Sequence, residues 1–171
     1  MSSYTAVITW EREGANFSDN RYSRAHRWTF DGGITVAASS SPHVVPAPMS
    51  RPDAVDPEEA FVASLSSCHM LTFLWIAGRR GFVVERYHDE AVGELSRDAG
   101  GGLAMTSVVL RPRVTFAGER MPEGADARLL AHQPALQQLA DAFVARQPRD
   151  ENAFRVGVGP GGRGPLPDLR A

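Results

Sequence analysis

Asp56-Pro57-Glu58-Glu59-Ala60-Phe61-Val62-Ala63-Ser64-Leu65-Ser66-Ser67-Cys68-His69-Met70-Leu71-Thr72-Phe73-Leu74-Trp75-Ile76-Ala77 reads as one long helix. Asp56 can cap it, Pro57 suits the first helical position, and Glu59, three residues after Asp56, completes a capping box. Gly78-Arg79-Arg80-Gly81 ends it, with two cations at the negative end of the helix dipole. The run is long enough to invite a membrane-spanning reading. Asp56, Glu58, Glu59 and the scattered Ser, Cys, His and Thr interrupt it, however, and the expectation is a buried helix of a soluble protein. Its apolar residues (Phe61, Val62, Leu65, Met70, Leu71, Phe73, Leu74, Trp75, Ile76) occupy most of the circumference, more than one sheet face of a small domain covers. A partner chain is expected to bury the remainder.

Strand patterns flank the helix. Tyr4 to Trp10 alternates, and Trp28 to Ala37 is a second strand segment interrupted by Asp31-Gly32-Gly33, which can supply the positive-φ positions of a tight turn. Ala38 to Asp53 is a Ser- and Pro-rich loop, of a length often tied to function. Phe82 to Leu95 and Met105 to Phe116 read as two long strands around Asp98-Ala99-Gly100-Gly101-Gly102, a turn that opens no helix and so makes no phosphate loop. Asp126 to Arg146 reads as a second helix despite Pro134, and Ala153 to Val158 as a short strand. The order predicts an α+β fold with antiparallel pairing, in one domain over residues 1–158, followed by a disordered Gly- and Pro-rich tail over 159–171.

Composition narrows the function. A chain of 171 residues with 43% hydrophobic content has the size of a single core, and a net charge of -2 gives no electrostatic basis for binding nucleic acid or an anionic membrane. The N-terminus lacks a basic n-region, so no signal peptide is read and the cytoplasm is the expected compartment. All 18 basic residues are arginine, which removes lysine nucleophiles and Schiff-base chemistry. His26, His43, His88 and His132 are dispersed without metal-ligand spacing, and neither a metal nor another cofactor is expected.

Cys68 is the only cysteine, so it makes neither an internal disulfide nor a Cys-rich metal site; it is either a small buried hydrophobe or a nucleophile. The Asp56-Pro57-Glu58 start, the apolar and small residues up to Cys68, and the following Gly78-Arg79-Arg80-Gly81-Phe82 and strand hairpin resemble the OsmC/Ohr proteins, the osmotically inducible and organic hydroperoxide resistance family. The resemblance runs over roughly Tyr4 to Phe116.

That resemblance implies antiparallel sheets packed around a long central helix in an intertwined homodimer. It also implies a thiol-dependent peroxidase that reduces organic hydroperoxides. By motif position the peroxidatic cysteine falls on Cys68 and the supporting glutamate on Glu58, while the supporting arginine falls on Arg21 or Arg24, with Arg21 slightly ahead. The family's second, resolving cysteine would lie near Leu139 to Val144, where this chain has no thiol. An external thiol or lipoyl-type dithiol is therefore the expected reductant. The alternative is a degenerate, non-enzymatic member that binds a small apolar ligand, with Cys68 merely buried.

Physical chemistry constrains the assignment. A peroxide is attacked by thiolate, a free cysteine is only a few per cent ionised at neutral pH, and a nearby guanidinium favours the anion. Glu58 and Cys68 are ten residues apart, which is about 15 Å along a straight helix. They cannot share one small site within one continuous helix, but if two helices cross in a symmetric dimer, as the resemblance also implies, Glu58 of one can approach Cys68 of the other. His69 is expected to make a polar contact at the pocket edge rather than pair with Cys68, since adjacent helical residues diverge by about 100°. Phe61, Leu65, Phe73 and Trp75 are expected in the core, and Glu85, Asp89, Glu90 and Glu94 on a solvated strand face.

Overall fold

The computed structural model describes residues 3–97 and 102–131. Its order is β1 (Ala6–Thr9), β2 (His26–Phe30), β3 (Thr35–Ala38), α1 (Pro57–Arg79), β4 (Val83–Asp89), β5 (Val92–Arg97), β6 (Leu103–Val109), β7 (Pro112–Ala117) and α2 (Gly124–Ala131). Every strand pair is antiparallel, giving the sheets β1-β2-β3, β4-β7 and β5-β6. This is the expected α+β arrangement of one long helix with antiparallel sheets. The Asp98–Gly101 turn, the second helix beyond Ala131, the short strand at 153–158 and the tail lie outside the described residues.

The helix begins as its sequence dictates. Asp56 accepts from the Glu59 amide at 2.7 Å, and the Glu59 carboxylate accepts from the Asp56 amide at 3.2 Å, so the capping box is complete. At the other end Arg80 caps the helix and Gly81 takes a φ of 74°, the left-handed turn that glycine adopts without strain.

The two long strands expected after α1 are four. Pairing stops at Glu90-Ala91 and Leu110-Arg111, where Asp89 Oδ1 accepts from the Arg111 amide at 2.6 Å and Pro112, lacking an N–H, opens β7. The hairpin thereby bends into two sheets. A bulge between Val84 and Arg86 re-phases β4, so that Val84 and Tyr87, three residues apart, both pack on the core. That core is Phe73, Ala77, Phe82 and Leu130, flanked by Ile76, Val84, Tyr87, Val114 and Phe116. It occupies only the C-terminal half of α1.

The rest of α1 is less covered than a buried helix should be. Only His69, Phe73 and Ala77 are buried on it, while Trp75, expected in the core, is 62% exposed and Leu71 60%. Val7 and Ile8 on β1 and Ile34 in the β2–β3 turn are exposed as well. The loop after β3 is tied down: Ser39 donates its amide to the Val55 carbonyl, and the buried Ser39 Oγ accepts from the Arg51 amide at 3.0 Å. These bonds fix the approach of the chain to Asp56 and the start of α1.

Candidate functional site

Cys68 lies mid-helix, and its side chain is exposed in the single chain, outside this chain's own core. Leu71 and Trp75 recur on the same face at three- and four-residue spacing, so the thiol sits in an apolar stripe that this chain leaves open. Glu58, at the helix start, has a buried Oε2 with no hydrogen-bond partner among the described residues. A buried carboxylate oxygen without a donor is costly, so the position calls for one.

The two candidate arginines differ in how they are held. Arg21 is exposed, with its amide bonded to Asp19 Oδ1 at 3.0 Å. Arg24 is half-buried: its guanidinium donates to the Asn20 carbonyl at 3.1 Å, to Asn20 Oδ1 at 2.7 Å and to the Tyr22 carbonyl, and it stacks 3.8 Å from the centre of the Tyr22 ring. Its amide donates to the Met49 carbonyl at 2.7 Å, linking it to the loop before α1. Arg24 also lines an aromatic recess of about 430 Å³ with Trp10, Phe17, Tyr22 and His26. None of these bonds goes to Glu58. One chain thus does not join Cys68, Glu58 and either arginine.

A larger cavity of about 1220 Å³ opens between the first half of α1 and β4–β6. Glu58, Val62, Ser66 and Met70 line its helix side, and Tyr87, Asp89, Leu95 and Met105 its strand side. Cys68 does not line it, because it faces away from Ser66 on the helix.

Between Ser66 and His69 the helix is bonded to β4 in a way the sequence reading missed. Ser66 Oγ donates to Asp89 Oδ2 at 2.5 Å, and His69 Nδ1 lies 2.7 Å from the Tyr87 hydroxyl. Asp89 is therefore not on the solvated strand face expected of it. It shares a face with Tyr87, two residues earlier, and the alternation of β4 after the bulge, from Arg86 to Asp89, was the available signal. Glu85, Glu90 and Glu94 are exposed as expected, and His69 makes a polar contact as expected, although it is buried rather than at an edge. Burial holds the His69 imidazole below its ordinary range, with Asp89 opposing the shift, and burial with help from Asp89 pushes the Tyr87 hydroxyl up to about 12.

The OsmC-like protein family matches this sequence over residues 50–133. An OsmC-like protein of unknown function from Vibrio cholerae O1 biovar eltor is 49% identical over 84% of this chain and 90% of its own, with a TM-score of 0.71. An OsmC-like protein from Mycoplasma pneumoniae is 11% identical, covering 83% and 90%, with a TM-score of 0.57. An organic hydroperoxide resistance protein from Bacillus subtilis is 16% identical, covering 85% and 91%, with a TM-score of 0.51. The last two show a shared fold. No curated protein matches the chain.

Proposed function

Since this chain belongs to the OsmC-like family, we propose that it is a cytosolic, homodimeric thiol peroxidase acting on organic hydroperoxides through Cys68. The observation that carries this reading is the place of the thiol: Cys68 stands outside this chain's own core, in an apolar stripe of α1 that the single chain leaves open for a partner to complete the site. The orphaned Glu58 oxygen supports the same view, because a site completed across a dimer supplies the missing donor. Arg24 is the better candidate for that donor. Its backbone is tied to the loop leading into α1 and it is half-buried beside the aromatic recess, whereas Arg21 is exposed.

In the proposed cycle the Cys68 thiolate attacks the terminal peroxide oxygen, a sulfur–oxygen bond forms, the oxygen–oxygen bond breaks, and an alkoxide leaves to take a proton. Arg24 would favour the thiolate and stabilise the departing alkoxide, and Glu58 would hold the guanidinium through charge-assisted bonds. The product is a Cys68 sulfenic acid. One sulfur of an external dithiol then displaces water to form a mixed disulfide, and the second sulfur closes on the first to release Cys68.

Turnover of tert-butyl hydroperoxide with dihydrolipoamide as reductant tests the reading. Wild type should consume both in a 1:1 ratio, and Cys68→Ser should abolish consumption. Equal rates for the two proteins would remove the peroxidase. The 1220 Å³ cavity, which excludes Cys68, favours a second reading in which the chain binds a small apolar ligand without chemistry. That reading requires an inert wild type.

A further inference from the structure

We propose that Ser66 and His69 are positioning residues, which lock the rotation of α1 against β4 and thereby aim Cys68 at its reaction partner. The proposal rests on the reading that Cys68 is the reactive thiol.

The two side chains stand two residues before and one residue after Cys68. At about 100° per residue they lie roughly 60° apart on one face, centred roughly 130° around the helix from Cys68. Both bonds reach the same strand: Ser66 Oγ to Asp89 Oδ2 at 2.5 Å, His69 Nδ1 to the Tyr87 hydroxyl at 2.7 Å. Strand β4 is itself fixed at that point. Asp89 Oδ1 accepts from the Arg111 amide at 2.6 Å, and the Tyr87 ring packs edge-on against Phe73 at 5.6 Å.

Beyond the close approach of Val62 to Gly93, apolar packing leaves this part of the helix poorly specified. The core gathers around Phe73 and Ala77, and α1 is apolar around most of its surface, so several rotations bury similar area. Directional hydrogen bonds discriminate among them where the hydrophobic effect does not. A thiol that must meet a guanidinium and a peroxide gains from such a lock, because small misplacements are expensive in rate.

The sole cysteine makes the test direct. A trifluoroacetonyl group coupled to Cys68 reports its surroundings by fluorine NMR, and alkylation of the free thiol reports its ionisation. Ser66→Ala favours helix and Tyr87→Phe keeps the ring, so each variant should fold, as far-UV circular dichroism will verify. The expected result is a shifted fluorine resonance in each and a larger shift in the double variant. Peroxide-dependent kcat should fall on the order of tenfold to a hundredfold with KM little changed. The ratio of alkylation rates at neutral and strongly alkaline pH should fall in parallel, and Ser66→Thr should retain wild-type values. A folded double variant with the wild-type resonance, alkylation ratio and kcat would overturn the proposal. Inert wild type combined with a shifted resonance would sink the peroxidase while upholding the rotational lock.

Discussion

Trp75 lies seven residues beyond Cys68 on the same face of α1, and it is 62% exposed. Leu71 stands between them at 60% exposure, while the Arg79 guanidinium lies 5.2 Å from the Trp75 ring centre. An indole and a leucine open to water on the main helix are where the proposed homodimer would close. Trp75→Glu, which places a charge there, should convert a dimer to a monomer in sedimentation equilibrium at micromolar concentration. Peroxidase activity should vanish with it. Wild type that sediments as a stable monomer would refute both the dimer and a site shared between subunits.

Gly93 on β5 sits where α1 and β6 come together. A Cβ added there would lie 2.5 Å from Val62 Cγ2 and 2.8 Å from Met105 Sδ. Met105 can yield, but Val62 is β-branched and stiff on the helix. Gly93→Ala should therefore destabilise the fold by about 1–3 kcal/mol, seen as a lower denaturant midpoint. Adding Val62→Ala should recover part of that loss by removing the clashing methyl. A fully stable Gly93→Ala protein would mean that α1 and β5 are farther apart than described.

The His69–Tyr87 pair makes stability depend on pH from both sides. His69 titrates below its ordinary value of 6.5 because it is buried, so the unfolded chain takes up the proton first. Its contribution is present above about 6.5 and is lost as pH falls. Tyr87 is shifted the other way, from 10.0 up to about 12, so its contribution holds below 10.0 and is lost as pH rises toward 12. In urea titrations His69→Asn should flatten the acid limb and Tyr87→Phe the alkaline limb. Unchanged limbs in both variants would contradict the burial of the pair.

The two arginines are separable by thiol chemistry. Arg24→Ala should slow alkylation of Cys68 at neutral pH, leave the rate at strongly alkaline pH nearly unchanged, and depress peroxide turnover. Arg21→Ala should do little, since that residue is exposed and its amide, not its guanidinium, bonds to Asp19. The reverse pattern would transfer the role to Arg21. No effect from either would remove the guanidinium from the mechanism.

The sequence by itself determined the helix, its limits and its family. Asp56, Pro57, Glu59 and Gly81 act on the backbone within a few residues, and such capping signals operate wherever the chain goes. The Pro57-Glu58 to Cys68 spacing is likewise local, and so is the Asp31-Gly32-Gly33 turn between β2 and β3. Only the tertiary structure decided that the strands after α1 break at Glu90-Ala91 and Leu110-Arg111. The bond from the Arg111 amide to Asp89 that closes the corner joins residues 22 apart. Nor could the helix pattern say which way α1 is turned, because apolar side chains surround it. Its rotation follows from Ser66 on Asp89 and His69 on Tyr87, contacts of 23 and 18 residues' separation that put Cys68 in the open stripe. Directional bonds between distant parts of the chain carry that information, and hydrophobic periodicity does not.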